Sequence, residues 1–277
     1  MGVHAQFDLS GKTAVVTGGA GVLGGAIASG LGDAGAQIAV CDIAADNAKA
    51  KAESISQESG VKASGYLMDA FDKVSIESCC EQIHNDYGQV DILVNAVGGN
   101  MKGATTSETQ SFFDLPEDAL RAVMDLNFLS GVFFPSQVFG RRLKDNPNGA
   151  SIINISSMNA FVPLTRIPGY SAAKAAVNNF TQWLAVHLAQ EYDPRLRVNA
   201  LAPGFFLTEQ NRFLLTDENS GELTPRGKTI VDHTPMGDFG KAEALIGPAV
   251  WLASDACRFV TGVVVPVDGG FSAFSGV

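Results

Sequence analysis

The sequence is poor in cysteine and histidine, with four of each in 277 residues. No two cysteines form a Cys-x-x-Cys pair, the spacing typical of zinc sites and redox centres. We therefore expect four reduced cysteines that pack in the interior. The histidines are scattered without the spacing of metal ligands, so we expect no metal site.

Long apolar runs are also absent. No stretch approaches the ~18–20 residues that span a bilayer, and residues 1–11 lack the apolar core of a signal peptide. We expect a cytoplasmic protein without a membrane partner. Positive charge is scarce, because 19 Lys and Arg against 29 Asp and Glu give a formal net charge of −10. Since such a chain repels phosphate backbones, we expect no nucleic-acid partner.

What the sequence does contain is a regular alternation of two patterns. Short apolar runs predict strands at Thr13–Thr17, Gln37–Cys41, Ala63–Met68, Ile92–Asn95, Ser151–Ser156, Arg197–Leu201 and Val263–Val267. Longer stretches predict helices at Leu23–Ala34, Ala44–Glu58, Lys73–Tyr87, Pro116–Leu143, Gly169–Tyr192 and Lys241–Ala253. Runs of Val and Ile without polar alternation are typical of strands buried on both faces. The sequence therefore predicts an α/β protein with a single domain over residues 1–277. Its centre would be a Rossmann-type, doubly wound parallel sheet of about seven strands, with helices on both faces.

Residues 207–240 depart from this alternation, because they are polar and weakly periodic. A variable surface insertion would have this composition, and so would a mobile lid over a substrate. Such a sheet binds ligands at the carboxyl ends of its strands, and this segment follows one of them. We therefore favour a substrate-binding lid.

A glycine-rich turn follows the first predicted strand. Residues 18–25 read Gly-Gly-Ala-Gly-Val-Leu-Gly-Gly and lead directly into a helical pattern. Glycines let the backbone approach a pyrophosphate, and the helix N-terminus adds free N–H groups. In this strand–turn–helix context, the turn predicts a dinucleotide site.

Aspartates follow the next two predicted strands. Asp42 can accept hydrogen bonds from the adenosine ribose hydroxyls of NAD, and it would repel the additional phosphate of NADP. No Lys or Arg lies between Thr17 and Lys49 to attract that phosphate. Alternatively, Asp42 caps the helix predicted near Ala44. Asp69 could contact the adenine edge or cap the next helix.

Tyr170 and Lys174 lie four residues apart in a predicted helix, so their side chains share one face. Upstream, residues 154–157 read Asn-Ile-Ser-Ser at the end of a predicted strand. A serine at that strand end faces the ligand crevice. The sequence therefore places a hydroxyl, a phenol and an ammonium group near one cavity.

These elements resemble the short-chain dehydrogenase/reductase family in order and spacing, over about residues 9–270. The resemblance depends on Thr17-Gly18 with Gly24, Asp42, Asp69, Asn95 with Gly98, Asn127, Ser157, Tyr170, Lys174, Pro203-Gly204 and Thr208. Two positions depart from the family pattern. Val22 stands where the family has the middle glycine of its turn, and residues 95–98 read Asn-Ala-Val-Gly instead of Asn-Asn-Ala-Gly.

The resemblance implies an NAD(H)-dependent oxidoreductase that interconverts a secondary alcohol and a ketone. It implies that Tyr170 is the general acid/base, that Ser157 holds the substrate oxygen, that Lys174 binds the nicotinamide ribose and that Asn127 anchors a water-linked proton relay. Lys174 and the cationic nicotinamide would both lower the pKa of Tyr170 from its ordinary value near 10. With the turn, the implied NAD-binding residues are Gly18, Gly21, Val22, Leu23, Gly24, Asp42, Asp69, Ala70, Asn95, Ala96, Val97, Gly98, Tyr170, Lys174, Pro203, Gly204, Phe206 and Thr208.

Within the family, residues 17–28, 95–105 and 156–177 resemble enzymes that interconvert D-mannonate and D-fructuronate. A polyhydroxy acid would find polar partners at Asn100, Lys102, Asn159, Arg166 and Arg212, each of which could equally be a solvated surface residue. Arg166 is the predicted carboxylate contact, because it lies between Ser157 and Tyr170. The alternatives are a reductase of 3-oxoacyl thioesters or other secondary alcohols, and a catalytically silent NAD(H) sensor.

The predicted helices Pro116–Leu143 and Gly169–Tyr192 carry more apolar residues than one sheet-facing stripe requires. Their surplus faces could pair about two-fold axes. Related family members commonly assemble in this way, so we expect a homo-oligomer, specifically a tetramer.

Overall fold

The computed structural model describes residues 2–208, 212, 215–217 and 220–276. In this part of the chain, seven strands form one sheet: β1 (Thr13–Thr17), β2 (Gln37–Asp42), β3 (Ala63–Leu67), β4 (Ile92–Asn95), β5 (Ala150–Ile155), β6 (Leu196–Pro203) and β7 (Val264–Val267). Their order is β3-β2-β1-β4-β5-β6-β7, and every neighbouring pair is parallel. The predicted fold class is confirmed, and each strand lies within two residues of its predicted bounds.

A short helix, α1 (Val3–Gln6), precedes β1. Each connection between strands contains at least one helix: α2 (Val22–Asp33), α3 (Ala45–Ser59), α4 (Lys73–Tyr87), α5 (Glu117–Met124), α6 (Phe134–Leu143), α7 (Pro168–Glu191), α8 (Pro225–His233) and α9 (Ile246–Ala253). The bounds of α4 are the predicted ones, and those of α2, α3 and α7 differ by one residue. A 3₁₀ turn, Ala242–Leu245, precedes α9 where a longer helix was predicted.

Each face of the sheet has its own apolar core, because alternate strand residues point to opposite faces. Val15 and Cys41 belong to the core covered by α4, α6 and α7. Val16 and Val40 belong to the core covered by α2, α3 and α9. The strands β1, β4, β5 and β6 are buried along their whole length. This two-sided burial explains their apolar runs without alternation.

The predicted helix Pro116–Leu143 is not uniform, because nine residues of π-helix, Asp125–Phe133, join α5 to α6. The Nδ2 of Asn127 donates to the main-chain carbonyl four residues earlier (2.8 Å). A Cβ at Gly131 would lie within 2.6 Å of two main-chain carbonyl oxygens. Pro135 has no N–H, so it cannot donate the α-helical bond to the carbonyl of Gly131. These features favour a wider helical turn, and such turns often mark functional sites.

The segment predicted as a lid, residues 207–240, contains a helix that the weak periodicity did not indicate. α8 follows Thr224, whose Oγ1 accepts a hydrogen bond from the N–H of Gly227 (3.0 Å). Ile230 of this helix belongs to a third, smaller apolar core. The other buried residues of that core are Met158, Leu215, Phe239 and Phe271. Residues 209–211, 213–214 and 218–219 lie outside the described residues, and the lid stays a prediction.

Candidate active site

A cavity of about 740 Å³ opens at the carboxyl edge of the sheet. The connection after β1 leads towards β2 and the connection after β4 leads towards β5, so the chain leaves this edge in opposite directions. Such a switch point is where open parallel sheets bind ligands. The cavity is lined by Gly18, Ala20, Gly21, Val22, Leu23, Gly24, Asp42, Ile43, Asn47, Met68, Asp69, Ala70, Phe71, Ala96, Val97, Gly98, Gly99, Leu126, Ile155, Ser156, Ser157, Tyr170, Lys174, Pro203, Gly204, Phe205, Phe206 and Thr208.

The glycine turn forms one end of this wall. Gly18 has a φ of 62°, in the left-handed region that favours glycine. A Cβ at Gly24 would lie 2.4 Å from the carbonyl oxygen of Gly18, so only glycine fits there. Helix α2 begins at Val22, and its first N–H groups lie at the cavity wall. The turn therefore fits a pyrophosphate, although Val22 replaces the family's glycine.

Asp42 ends β2 and lines the cavity. Its Oδ2 accepts from the N–H of Ala20 (3.2 Å), and its Oδ1 accepts from the N–H of Ala44 (3.1 Å). The carboxylate therefore joins the glycine turn to Ala44, the residue that precedes α3. It does not cap α3, because it bonds no N–H of the first turn, and the contact with the ribose stays a prediction. Each carboxylate oxygen keeps further acceptor capacity, so a ribose hydroxyl can still donate to it.

Asp69 also lines the cavity, but it does not cap the next helix. Its Oδ1 accepts from the N–H of Phe71 (2.9 Å), which shapes the loop after β3. The cap of α4 is Asp72, whose Oδ1 accepts from the N–H of Val74 (2.9 Å). Of the two interpretations of Asp69, only a contact with the adenine edge stays open.

Ser157, Tyr170 and Lys174 line the same cavity as the glycine turn. Ser157 lies two residues beyond β5, and its Oγ accepts from the N–H of Asn159 (3.2 Å). Because the oxygen accepts this bond, its proton is available to donate into the cavity. Tyr170 and Lys174 lie in the first turns of α7. The Nζ of Lys174 donates to the carbonyl of Ile155 (2.8 Å) and lies 5.7 Å from the ring centroid of Tyr170.

Asn127 lies behind this wall and is fully buried. Its Oδ1 accepts from the N–H of Gly99 (3.0 Å), and its Nδ2 donates to the carbonyl of the same residue (2.7 Å). A Cβ at Gly98 would lie 2.8 Å from the Oδ1 of Asn127 and 3.1 Å from the Nζ of Lys174. The glycine in this loop therefore lets Asn127 and Lys174 approach each other.

Burial decides the direction of both pKa shifts in the site. It raises the pKa of Tyr170, while the Ser157 hydroxyl lowers it. It lowers the pKa of Lys174 to about 8. The sequence argument expects Lys174 and a bound nicotinamide to lower the pKa of Tyr170; in the protein alone, burial raises it. Removing the phenol from water disfavours the tyrosinate more than the neighbouring hydroxyl favours it.

Among the predicted cofactor residues, Asn95 does not line the cavity. It is fully buried, and its Nδ2 donates to the Oγ of Ser136 and the Oδ1 of Asn154 (both 2.9 Å). Its side chain thus joins β4 to β5 and to α6. Several wall residues were not predicted: Ala20, Ile43, Asn47, Met68, Phe71, Gly99, Leu126, Ile155, Ser156 and Phe205. Most of them are sequence neighbours of a predicted residue, so they could have been predicted by extending each motif by one residue.

The structure places the predicted substrate residues outside the cavity wall: Asn100, Lys102, Asn159, Arg166 and Arg212. Asn159 is buried, and its Oδ1 accepts from the N–H of Leu164 (2.9 Å). The side chain of Arg166 is exposed and forms no ion pair with any described residue. The N–H of Thr106 donates to the Arg166 carbonyl (2.9 Å), which joins the loop after β4 to the loop after β5.

The comparisons with known proteins agree with this geometry. The short chain dehydrogenase pattern matches residues 12–219, so the chain belongs to the short-chain dehydrogenase family. It is an oxidoreductase that acts on secondary alcohols or ketones with a nicotinamide cofactor.

Three proteins illustrate the relationship. The uncharacterized oxidoreductase UxuB of Bacillus subtilis is 46% identical over 281 residues, which cover 98% of each chain. A candidate D-mannonate oxidoreductase of Haemophilus influenzae, solved with bound NAD, is 43% identical, with a TM-score of 0.89 and complete coverage of both chains. A gluconate 5-dehydrogenase of Burkholderia cenocepacia, solved with NADP and tartrate, is 30% identical, with a TM-score of 0.86. That match covers 99% of this chain and 100% of the other.

None of the helices in the described residues combines the length and apolarity needed to cross a lipid bilayer. In the same residues, no three His, Cys, Asp or Glu side chains are grouped so that they could hold a metal ion.

Proposed function

We propose that this protein is an NAD(H)-dependent oxidoreductase of sugar acids, and specifically that it reduces D-fructuronate to D-mannonate. The observation that carries the proposal is the shared wall of one cavity. Ser157, Tyr170 and Lys174 line the same space as the glycine turn and Asp42. The sugar-acid assignment is supported by the relatives that cover the whole chain.

Each catalytic side chain has a proposed role that follows from its position. Tyr170 gives its phenolic proton to the substrate oxygen during reduction and recovers it during oxidation. The Ser157 hydroxyl donates a hydrogen bond to the same oxygen as negative charge develops on it. Lys174 donates to the nicotinamide ribose, and Asn127 holds the loop at Gly98 and Gly99 next to Lys174. When bound, the nicotinamide supplies or accepts the hydride.

The preference for NAD(H) over NADP(H) rests on Asp42. Its carboxylate is fixed at the cavity wall by the N–H groups of Ala20 and Ala44. An anion held there repels the 2′-phosphate of NADP and accepts from the free ribose hydroxyls of NAD. The bound NAD of the Haemophilus relative supports this choice, whereas the NADP of the gluconate 5-dehydrogenase is the alternative.

The carboxylate of the substrate is assigned to Arg166. Its exposed guanidinium lies on the connection between Ser157 and Tyr170. The main-chain carbonyl of Arg166 accepts a hydrogen bond from the N–H of Thr106, which holds this part of the connection. A guanidinium can bind a carboxylate with two parallel hydrogen bonds. Closure of the loops, and of the lid proposed for residues 207–240, would bring this group towards the cavity.

The test is a substrate screen. Uronates, aldonates and short 3-oxo compounds are offered with NADH and NADPH, or with the oxidised cofactors, and absorbance of the reduced nicotinamide is followed. We expect the highest kcat/KM with D-fructuronate and NADH. Activity confined to 3-oxo compounds would contradict the sugar-acid assignment while leaving the reaction class intact.

We also propose a homo-oligomer, specifically a tetramer, that uses the outer faces of α6 and α7. A groove of about 350 Å³ lies between these helices. The aromatic rings of Phe180, Trp183 and His187 stack in a row along α7, and Trp183 is 54% exposed. An exposed aromatic residue such as Trp183, beside an apolar groove, is typical of subunit contacts. Light scattering should report a tetramer, and a monomer at working concentration would contradict the proposal.

A further inference from the structure

The last two residues of β5, Asn154 and Ile155, and the next residue, Ser156, each form a hydrogen bond with α7. We call these contacts the β5–α7 seam. Its pairs are Asn154–Thr181, Ile155–Lys174 and Ser156–Asn178. The seam ends beside the cavity, because Ile155, Ser156 and Lys174 are all part of the cavity wall.

The seam lies between the two parts of the catalytic apparatus. Ser157 continues β5 by two residues, whereas Tyr170 belongs to α7. The chain between them passes through residues 161–166, which are almost entirely exposed. Hydrogen bonds hold this connection at Leu164 and Arg166, but none of them joins it directly to the helix residues that follow Tyr170. The direct contacts between the strand end and the helix therefore add a second constraint on the position of Tyr170 relative to Ser157.

The side chains of residues 171–177 constrain the position of α7 along its axis only weakly. Residues 171–177 read Ser-Ala-Ala-Lys-Ala-Ala-Val, so the side chains between Tyr170 and Asn178 are small apart from Lys174. Small side chains form shallow ridges and grooves, which interlock weakly with a neighbouring surface. Farther along the helix, Val177, Phe180 and Leu184 pack in the apolar core, and the directional hydrogen bonds of the seam add the finer adjustment of register near Tyr170.

The pair nearest the catalytic residues is Ser156–Asn178. Ser156 is 2% exposed, and its Oγ donates to the Oδ1 of Asn178 while lying 3.4 Å from the carbonyl of Lys174. Asn178 follows Lys174 by four residues and Tyr170 by eight, so the three side chains form one stripe along the helix. We propose that Ser156 and Asn178 are positioning residues, which hold α7 in the register that brings the Tyr170 hydroxyl to the substrate oxygen held by Ser157.

This inference rests on the proposed roles of Ser157 and Tyr170. A slip of one residue moves a helix by about 1.5 Å along its axis. A misplacement of about 1 Å can reduce the rate of an enzymatic step by roughly 100-fold. The seam therefore affects the chemical step more strongly than it affects binding.

The experiment compares Ser156→Ala and Asn178→Ser with two matched controls. Ser151→Ala removes a serine hydroxyl that is equally buried in β5 but bonds to the carbonyl of Leu252 at the far end of the strand. Asn179→Ser changes the exposed neighbour of Asn178. The kinetics use the substrate with the highest turnover in the screen, and NADH binding is measured by fluorescence.

We expect kcat to fall roughly 10- to 100-fold in both seam variants, while KM and the Kd for NADH change by less than about threefold. The controls should keep wild-type kcat. Ser156→Thr keeps a hydroxyl, so it should restore most of kcat. The limb of the kcat–pH profile that reports Tyr170 should move to higher pH, because the Ser157 hydroxyl that lowers the Tyr170 pKa is then farther away.

Two results would overturn the inference. One is wild-type kcat in Ser156→Ala and Asn178→Ser. The other is an equal loss of kcat in Ser151→Ala with a similar fall in melting temperature, which would show general destabilisation. Failure of the proposed function is a separate result, because it would appear as turnover in Tyr170→Phe whatever the seam variants do.

Discussion

The two halves of the cavity differ in how they are built. The cofactor half consists of a glycine turn, a helix N-terminus and aspartates at strand ends, and nearly all of its predicted residues line the wall. The substrate half is bordered by loops, and none of its five predicted residues lies in the wall. Backbone geometry forms the first half, whereas the side chains proposed for the second lie on connections outside the wall. Binding that depends on backbone geometry is therefore easier to read from a sequence.

The largest expected effect lies where the halves meet. Tyr170→Phe should reduce kcat by roughly 10²- to 10⁴-fold, the contribution typical of a general acid or base. NADH binding should stay nearly unchanged, because only the phenolic oxygen is removed. Stopped-flow turnover and fluorescence titration measure the two quantities. Tyr192→Phe, at an exposed tyrosine, is the control. Wild-type turnover in Tyr170→Phe would disprove the mechanism.

A change in the substrate half comes next. Arg166→Ala should raise KM for a uronate by roughly 10- to 150-fold, because a hydrogen bond to a charged group contributes about 1.5–3 kcal/mol. KM for a neutral ketose should change little. Arg258→Ala, at an exposed arginine outside the cavity wall, is the control. Equal losses on both substrates would show that Arg166 does not bind the carboxylate.

A change in the cofactor half should be smaller. Asp42→Ala should lower the ratio of kcat/KM for NADH to kcat/KM for NADPH by roughly tenfold. One charge-assisted contact with NADH is lost, and the repulsion of the 2′-phosphate of NADPH is relieved. This ratio measures the preference for NADH. Asp46→Ala changes an exposed aspartate in the first turn of α3 and should leave the ratio unaltered. A wild-type preference for NADPH would contradict the assignment of Asp42.

The smallest expected effect concerns stability. Burial lowers the pKa of Lys174 from 10.5 to about 8, so its charge opposes folding by at most roughly 3 kcal/mol. Lys174→Met removes this unfavourable charge burial, but it also removes the hydrogen bond to the Ile155 carbonyl. We therefore expect the free energy of unfolding to rise by about 1 kcal/mol at pH 7. Between pH 8 and 10.5 the unfolded wild type binds more protons than the folded one, so wild-type stability rises and the gain disappears. Urea unfolding at several pH values tests this. No gain at pH 7 would show that the ammonium is well solvated.

The sequence predicted the central strands β1, β4, β5 and β6 well because they are buried on both faces, and such strands leave unbroken apolar runs. It also predicted the turn at Gly18 and the pair Tyr170 and Lys174, whose spacing in sequence determines their spacing in space. The π-helical segment at Asn127 was not predicted, because it depends on the close approach of Gly131 to carbonyls outside its own turn. The β5–α7 seam was missed for a similar reason, since its partners are 18 or more residues apart and no local pattern connects them.

The hydrogen bond from Thr106 to the Arg166 carbonyl has a kinetic consequence. The loop after β4 starts at the cavity wall with Gly98 and Gly99, and the loop after β5 starts there with Ser157. Because Thr106 bonds the Arg166 carbonyl through both its N–H and its hydroxyl, we expect the two loops to move away from the cavity together. We then expect product release on this side to depend on a loop contact that takes no part in hydride transfer.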